Sequence, residues 1–520
     1  YIRQPQTPLA LATLLKGERV VAEEITPELF PVLRYSSVTT TWYYLNESNL
    51  WVASKKPNVY MVVRAMQRKI QAELDIVGEK NGEETNDDAE ARLWKERTEL
   101  ARHYNAVGKT SYTKQVVNHL ETLLLDEVFA SKLDDTEGTL VFRNGILDLR
   151  TEEFRDGFLS DDMISTTLAH EYQKDSFDVD KMMELRGYLK QILNNNEEHL
   201  EYYLCCLGHA FTGSSSKVKG LYFIIDATEG GTGDNGKSFF FDILSTVFPE
   251  LVGKTQYSLI EDGNKTVHKQ LKKLDRKRLV FIDEGNQKAI RADLLKEIAN
   301  GGSLENQILF GTTELLRITW KLFICSNHLP TIRKKESTVY NRYHQIQFGS
   351  HFDRTGKRKV EDEEKLLFKA NVGLGDKLKS EFTREIIALM VEYATLYYTN
   401  LQLYDEGIPP APKEFQDAIE KTKMKNDPFA VWFEDTFEKV ETAQISLDEV
   451  MRVSNSSNKR QLIRELKDLG YNYEKDMSGL GMKMNYKTNK MVYVKGGFNG
   501  FRLIEAEDVG VVAFAEAMRG

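Results

Sequence analysis

The sequence predicts an α/β fold built around buried parallel strands, and three segments support this prediction. The glycine-rich segment 231–238 (GTGDNGKS) lies between an apolar run at 221–225 and a helical pattern at 239–248. Two further apolar runs, 279–284 (LVFIDE) and 321–327 (KLFICSN), each end in polar side chains. Strands of parallel sheets are covered on both faces, so they have continuous apolar runs of this kind.

The glycine-rich segment fits the pattern G-x-x-x-x-G-K-S/T and predicts a binding site for nucleotide phosphates. Glycines let backbone N–H groups close around an anion, and the following helix adds its dipole. Lys237 is expected to reach the β- and γ-phosphates of ATP, and the Ser238 hydroxyl to bind Mg²⁺. The other residues expected to contact the nucleotide are Gly231, Gly233, Asp234, Asn235, Gly236 and Phe239. A glycine- and asparagine-rich turn that matches by chance is the alternative.

The polar residues that follow the other two runs complete the predicted site. Asp283 is expected to hold Mg²⁺, and Glu284 to polarise the attacking water. Asn327 could orient that water or the γ-phosphate, or it could simply begin a turn before Pro330. Arg342 is either a surface residue or a finger inserted into the site of a neighbouring subunit, where it would contribute on the order of a thousandfold in rate.

Composition bounds the class of protein. The chain has 520 residues, 41% of them hydrophobic, which suggests roughly three domains with packed cores. The net charge of −9 argues against a basic exterior that coats nucleic acid. Cys205, Cys206 and Cys325 are predicted to be reduced core residues. Without an apolar run of membrane length, a soluble, intracellular protein with no membrane partner is expected, and the first residue, Tyr1, suggests a fragment of a longer polypeptide.

The segments before the glycine-rich loop predict a mixed, mostly helical region. Aromatic runs flank the turn-forming cluster 46–49, which predicts a β-hairpin. A helical period begins at Val59, and the acidic segment 80–91 is interpreted as a loop. Asn144 and Gly145 form the predicted turn of a strand–turn–strand segment. One helix is predicted over 188–211.

The segments that follow Arg342 predict a separate small domain, because prolines cluster at 409–412 and interrupt a helical pattern. In order, its predicted elements are a helix at 430–440, a helix opened by a capping box at 446–449, a basic helix at 458–469, and two strands at 482–486 and 491–494. Helices followed by a hairpin suggest a winged helix, which could contact a nucleic-acid duplex or dock a protein.

The motifs in this order resemble the superfamily-three helicases, specifically the primase-helicases of phages, plasmids and large DNA viruses of the poxvirus and asfarvirus type. GGTGDNGKS matches the family's phosphate loop, LVFIDE its acidic strand and KLFICSN its sensor strand, with Arg342 at the place of the arginine finger. Upstream, WYYLNESNLW and FRNGILDL are similar to the helical domain that precedes the ATPase. The resemblance implies an AAA+-like P-loop ATPase core, a mostly helical N-terminal domain and a small winged-helix-like C-terminal domain.

The resemblance also implies a function and an assembly. It implies an ATP-dependent DNA helicase or translocase of viral or mobile-element replication, with ATP sites between the subunits of a hexameric ring, single-stranded DNA in its pore and other replication proteins as partners. The implied divisions are 1–40 (a linker or the end of an upstream domain), 41–187 (the pre-helicase domain), 188–404 (the ATPase), 413–503 (the winged-helix-like domain) and 504–520 (a tail).

The predicted DNA-contacting segment departs from the family. Members commonly have an acid after a glycine pair and basic residues near the tip of a pore hairpin. This chain has Ser303, Ile308 and Thr312 at those places. The cations left as candidates for phosphate contacts are Lys296, Arg317, Lys321 and the basic run 268–278, which is alternatively a solvated helix face.

Two other functions remain open at the level of sequence. An AAA+ ATPase that remodels or loads protein partners would use the winged helix for docking, and the altered hairpin favours it. A ring clamp that binds nucleic acid structurally would use ATP for assembly alone.

Overall fold

The structure is a computed structural model. It describes residues 8–37, 39–83, 87–214, 219–227, 233–261, 267–285, 288–307, 313–332, 334–355, 361–456, 458–475, 482–485, 490–493 and 496–504. The chain divides into two compact units, Tyr1–Ser176 with Gln307–Glu314 and Phe177–Asn306 with Leu315–Gly520, here called the first and second units.

The first unit combines helices with two antiparallel sheets. Its helices are α1 (Leu11–Leu14), α2 (Glu18–Leu29), α3 (Val59–Glu83), α4 (Asp87–Ala106), α5 (Thr110–Leu123) and α6 (Phe129–Lys132). Its sheets contain β1 (Leu33–Ser36), β2 (Thr41–Leu45) and β3 (Trp51–Ser54), and then β4 (Thr139–Phe142), β5 (Gly145–Asp148) and β6 (Phe154–Asp156).

The helices of the first unit share one apolar core. Val21 and Leu29 of α2 belong to the same buried cluster as Met66 and Ile70 of α3, because apolar residues recur at helical spacing in both helices. The cluster also includes Leu9. The amino-terminal segment, predicted to be a linker or the end of an upstream domain, therefore packs into this unit.

The predicted aromatic hairpin is confirmed. β2 and β3 pair antiparallel, with Leu45 opposite Trp51. The side chain of Asn46 accepts hydrogen bonds from the backbone N–H groups of Ser48 and Leu50, both at 2.9 Å. The amide oxygen of Asn46 thereby accepts from two backbone N–H donors that a tight turn would otherwise leave without an acceptor.

The acidic segment 80–91, predicted to be a loop, is largely helical. α3 continues to Glu83, and α4 begins at Asp87. Asp87 and Asp88 lie in the first turn of α4, where carboxylates are stabilised by the helix dipole. The charge run therefore marks a helix terminus.

The strand–turn–strand segment is confirmed with its turn shifted by one residue. Phe142 pairs with Gly145, so Arg143 and Asn144 form the turn. A Cβ on Gly145 would collide with the backbone oxygen of Arg155, which explains the glycine at the start of β5.

The second unit is built on a five-stranded parallel sheet in the order β13–β7–β12–β9–β8. The remaining strands of the chain are β7 (Leu221–Asp226), β8 (Val252–Thr255), β9 (Leu279–Ile282), β10 (Gly302–Gln307), β11 (Thr313–Ile318), β12 (Lys321–Ser326), β13 (Tyr343–Phe348), β14 (His351–Asp353), β15 (Leu367–Lys369), β16 (Phe437–Ser446), β17 (Met482–Asn485), β18 (Lys490–Tyr493) and β19 (Gly497–Leu503). Every residue of β7, β9 and β12 is buried. The α/β class and the parallel sheet predicted from the apolar runs are therefore confirmed.

The remaining helices are α7 (Val179–Ile192), α8 (Glu197–Phe211), α9 (Phe239–Val247), α10 (Val267–Lys273), α11 (Ala292–Asn300), α12 (Leu374–Glu381), α13 (Thr383–Asn400), α14 (Lys413–Lys425), α15 (Pro428–Thr436), α16 (Leu447–Val453) and α17 (Lys459–Asp468). The single helix predicted over 188–211 is thus wrong, since α7 and α8 are separate. Asn194 and Asn195 have φ angles of 61° and 52°, and the Asn196 side chain caps α8, so three asparagines end one helix and begin the next.

The C-terminal part of the second unit has its own apolar cluster. The helix predicted over 430–440 ends at Thr436, because Phe437 begins β16, which pairs antiparallel with β19. The predicted cap at Ser446 is confirmed, since its hydroxyl accepts from the N–H of Glu449 at 3.2 Å. β17 and β18 form the antiparallel pair that the sequence predicted.

Within the described ranges, no helix is both long enough and apolar enough to cross a bilayer. Cys205, Cys206 and Cys325 are buried thiols outside any disulfide, as predicted. Burial raises the pKa of Cys205 to about 12, so this thiol stays neutral at physiological pH.

Candidate nucleotide-binding site

The predicted site residues follow the carboxyl ends of three neighbouring strands of the sheet. β7 lies between β13 and β12, whereas β8 lies at the far edge beyond β9. The chain therefore leaves β7 towards one side of the sheet and later returns to β13 on the other side. In open α/β sheets, ligands bind at the carboxyl ends of strands beside such a reversal.

The loop after β7 adopts a conformation that needs its glycines. Gly233 and Gly236 have φ angles of 83° and 76°, and Asp234 between them has a φ of 58°. A Cβ on Gly236 would also lie 3.3 Å from the side chain of Ile192. Gly231, predicted to contact the nucleotide, lies outside the described residues.

The loop leads directly into α9, and its acidic residue is held in place. Ser238 occupies the N-cap position of α9, and Phe239 is the first helical residue. The Asp234 carboxylate pairs with Arg354 at 3.0 Å, and its backbone oxygen accepts from the N–H of Phe352 at 2.8 Å. These contacts anchor one side of the loop to β14 and the residue that follows it.

Lys237 lies in a cage of three polar side chains. Its Nζ donates to Asn235 Oδ1 and to Asn327 Oδ1, both at 2.6 Å, and lies 3.7 Å from Asp226 Oδ2. Asn235 Nδ2 in turn donates to Asp226 Oδ2 at 2.7 Å. Burial lowers the pKa of Lys237, and the Asp226 carboxylate opposes this shift. The cage therefore fixes the ammonium at the carboxyl ends of β7 and β12.

Asp283 follows β9 and contacts two donors. Lys254 Nζ donates to Asp283 Oδ2 at 2.7 Å. Burial alone raises the pKa of Asp283, but hydrogen bonds from Lys254 and Ser238 outweigh it and leave that pKa below its ordinary value. The carboxylate is therefore ionised at neutral pH and lies next to the hydroxyl at the start of α9. The following residue, Glu284, is exposed.

These residues fit a nucleotide bound with Mg²⁺. Positive φ angles at the glycines turn the loop as a phosphate cradle requires. The ionised Asp283 carboxylate and the Ser238 hydroxyl, which contact each other, are the hard oxygen ligands that Mg²⁺ prefers. The buried Lys237 supplies the positive charge that phosphate oxygens need.

The chain is similar to several proteins of large DNA viruses. A family model described as "D5 N terminal like" matches residues 22–195. "Putative helicase L207/L206" of Acanthamoeba polyphaga mimivirus is 24% identical over 326 residues, which are 61% of this chain and 33% of that protein. "Primase D5" of Fowlpox virus (strain NVSL) is 21% identical over 327 residues, 60% of this chain and 39% of that protein.

The predicted resemblance to the superfamily-three primase-helicases is therefore confirmed. "Putative helicase 121R" of Invertebrate iridescent virus 3 is also similar, at 23% identity over 359 residues, which are 66% of this chain and 37% of that protein. The chain thus spans between 33% and 39% of the length of these three relatives. Among solved structures, "The A form apo structure of NrS-1 C terminal region-CTR" matches with a TM-score of 0.33 and 12% identity, over 58% of this chain and 65% of that one.

Arg342, predicted to be either a surface residue or an arginine finger, lies at the opposite end of β13 from the glycine-rich loop. Arg342 precedes β13, and its Nε and Nη2 each donate to Asn300 Oδ1 at 3.1 Å. β13 runs parallel to β7 from Tyr343 to Phe348, which separates Arg342 from the carboxyl ends of the strands by about 20 Å at 3.3 Å per residue. The predicted role in a neighbouring subunit's site stays a prediction.

The three cations predicted to contact DNA differ in exposure. Lys296 on α11 is partly exposed, and Arg317 on β11 is exposed. Lys321 is only 1% exposed, so the prediction that it contacts DNA is wrong for this structure. An apolar strand that begins with lysine gives no sign of whether the ammonium points inward. Ile308 and Thr312 of the predicted hairpin lie outside the described residues.

The sequence analysis did not predict three charged residues at the site, namely Asp226, Asp242 and Lys254. Asp226 is the last residue of β7 and contacts the cage around Lys237. Lys254 on β8 pairs with Asp283 and also lies 3.4 Å from Asp242 Oδ1. The sequence does contain a signal for Asp226, because this residue ends an apolar run as Asp283 does. It contains no signal for Lys254, because nothing in the sequence shows that β8 pairs with β9.

Proposed function

We propose that this chain contains the motor of a viral DNA-replication helicase and that it hydrolyses ATP to move along DNA. The observation behind the proposal is the contact of Lys237 Nζ with Asn327 Oδ1 at 2.6 Å. This contact joins the phosphate loop to the end of β12 at the edge where Asp283 also lies. The names of the viral relatives support replication as the setting.

In this proposal the residues of the edge have separate tasks. Lys237 neutralises charge on the β- and γ-phosphates. Ser238 and Asp283 hold Mg²⁺, which stabilises charge on the phosphoryl oxygens when it is bound. Glu284 polarises the attacking water, and Asn327 keeps Lys237 in place and orients that water.

We also propose that the motor is a hexameric ring with sites shared between subunits and single-stranded DNA in its pore. The position of Arg342 supports sharing, because the parallel strands place it about 20 Å from the carboxyl ends where its own loop lies. An arginine supplied by the next subunit would stabilise the charge that develops during phosphoryl transfer. In a ring, a few cations per subunit can neutralise several DNA phosphates even though the chain is acidic overall.

The finer architecture is part of the proposal. We assign the second unit up to α13 to an AAA+-like P-loop core, and α15 to β19 to a winged-helix-like module. Exposed cations on α17 support a nucleic-acid contact, namely Lys459, Arg460 and Arg464. Neutralising these three should weaken binding to duplex DNA and reduce its salt dependence, whereas unchanged binding would leave the module to protein docking.

The test is steady-state ATP hydrolysis by the purified chain with and without single-stranded DNA, at low and moderate salt. Lys237→Ala provides the blank, because it removes the ammonium but keeps the loop. Stimulation by DNA that weakens as salt rises is expected, since added salt screens phosphate contacts.

Two outcomes would overturn the proposal. Hydrolysis equal to that of the Lys237→Ala blank would remove the ATPase. Hydrolysis that is indifferent to DNA but stimulated by a protein would replace the helicase with a remodelling ATPase.

A further inference from the structure

Lys254 contacts Asp283, the carboxylate proposed to bind a divalent cation. It is the third residue of β8, and it pairs with Phe281 of the adjacent parallel strand β9. Its Nζ lies 2.7 Å from Asp283 Oδ2 and 3.4 Å from Asp242 Oδ1. The same ammonium lies 5.3 Å from the centroid of the Phe281 ring.

The two carboxylates around Lys254 come from different elements. Asp283 follows β9, whereas Asp242 lies in the first turn of α9. The hydroxyl of Ser238, at the N-cap of that helix, contributes with Lys254 to the lowered pKa of Asp283. One lysine therefore joins the acidic strand to the helix that follows the phosphate loop.

We propose that Lys254 is a positioning residue that competes with a divalent cation for the Asp283 carboxylate and moves to Asp242 when the cation binds. The inference rests on the proposed nucleotide site. It adds a residue of this chain that competes with the cation at that site.

The movement of Lys254 from Asp283 to Asp242 follows from charge repulsion and from the length of the lysine side chain. A divalent cation bound to Asp283 cannot share the same oxygen with an ammonium, because like charges a few ångströms apart repel. Lys254 is half exposed, at 50% of its side chain, so rotation about its four-carbon stem can move the ammonium while β8 stays in register. Asp242 and the face of the Phe281 ring both attract the displaced charge.

The proposal predicts opposite effects from the two partners of this exchange. Lys254→Met removes the competing ammonium, so affinity for a divalent cation should rise by roughly threefold to tenfold. Asp242→Asn removes the acceptor for the displaced ammonium, so affinity should fall by about threefold.

A double variant separates this exchange from simple electrostatics. If Asp242 acts only by receiving Lys254, then Asp242→Asn should change affinity by less than about 1.5-fold in the Lys254→Met background. If Asp242 merely adds negative charge near the cation, its effect should be the same in both backgrounds. Equal effects would overturn the proposal.

The measurement uses the full chain without nucleotide and Mn²⁺ as the probe. The signal of unbound Mn²⁺ in electron paramagnetic resonance gives the affinity directly. Lys254→Arg, which keeps the charge, should bind Mn²⁺ about as weakly as the unaltered protein, and Asp283→Asn should remove the site. The proposal is wrong if Lys254→Met lowers the affinity, if Asp283→Asn leaves it unchanged, or if neither the unaltered protein nor Lys254→Met binds Mn²⁺.

Failure of the proposed function would look different. A chain that binds Mn²⁺ through Asp283 with the predicted order of affinities, but does not hydrolyse ATP, would keep the Lys254 exchange and lose the motor. If the unaltered protein hydrolyses ATP normally but Lys254→Met binds Mn²⁺ no more tightly than it does, the proposed motor function stands and the Lys254 exchange is wrong.

Discussion

Replacing Lys321 with methionine should stabilise the protein near neutral pH and remove part of its pH dependence. Lys321 begins β12 and is 1% exposed. Burial lowers its pKa from 10.5 to about 7, and the charge of Glu406 opposes that shift only in part. His344, which is partly buried, has a pKa lowered to about 4 by desolvation and by the charge of Lys321.

The direction in which the Lys321 contribution to stability changes with pH follows from proton binding. Between the folded pKa of about 7 and the unfolded value of 10.5, the unfolded chain binds more protons than the folded chain. The contribution of Lys321 to the free energy of unfolding therefore rises as pH rises through that window. At 1.36 kcal/mol per pKa unit, the buried charge lowers stability by about 4 kcal/mol at pH 7, and about 3 kcal/mol of this returns by pH 9.5.

The assay is urea unfolding of the unaltered protein and Lys321→Met at both pH values. The comparison is between proteins at each pH, because buried tyrosines and cysteines add their own dependence to both. The variant should be more stable near pH 7, and its advantage should shrink by about 3 kcal/mol near pH 9.5. Lys369→Met, at an exposed position on β15, is the matched control and should show no such change. An advantage that is equal at both pH values, or a variant that is less stable at both, would refute the reasoning.

Three further predictions concern the nucleotide site. Glu284→Gln should keep nucleotide affinity but lose on the order of a hundredfold or more in hydrolysis, as single-turnover assays would detect; unaltered turnover would remove Glu284 from the mechanism. Arg342→Ala should bind nucleotide yet lose on the order of a thousandfold in turnover, and mixing it with Lys237→Ala should restore partial activity only if subunits share sites. Gly236→Ala should lower the free energy of unfolding by roughly 1–2 kcal/mol, because its φ of 76° is left-handed and Ile192 lies 3.3 Å from the added methyl; thermal unfolding with unaltered stability and nucleotide affinity would contradict this.

The sequence predicts the sheet well because its information is local. A strand covered on both faces is apolar throughout, and the buried residues of β7, β9 and β12 therefore stand out one segment at a time. Parallel strands bring their carboxyl ends to one edge, which places Asn327 near Lys237, although the sequence analysis predicted no contact between these two side chains.

Other features depend on information that no single segment contains. Leu189, Leu193 and Leu200 are all fully buried, so the apolar pattern continues across the asparagines that separate α7 from α8 and conceals the break. Lys254 meets Asp283 only because β8 lies next to β9, and this neighbour relation is a property of the folded sheet. The inward position of Lys321 likewise depends on what covers the end of β12.

The pairing of β13 with β7 joins two segments of the second unit that are distant in sequence. Six residue pairs hold the strands together, from Tyr343 opposite Leu221 to Phe348 opposite Asp226. Beyond them, the backbone oxygen of Phe348 accepts from the N–H of Ala227 at 3.0 Å. A hydrogen-bonded register resists sliding, because a slip of one residue would turn every buried side chain to the opposite face. The position of Arg342, just before β13, is therefore tied through this pairing to that of Ala227, just after β7.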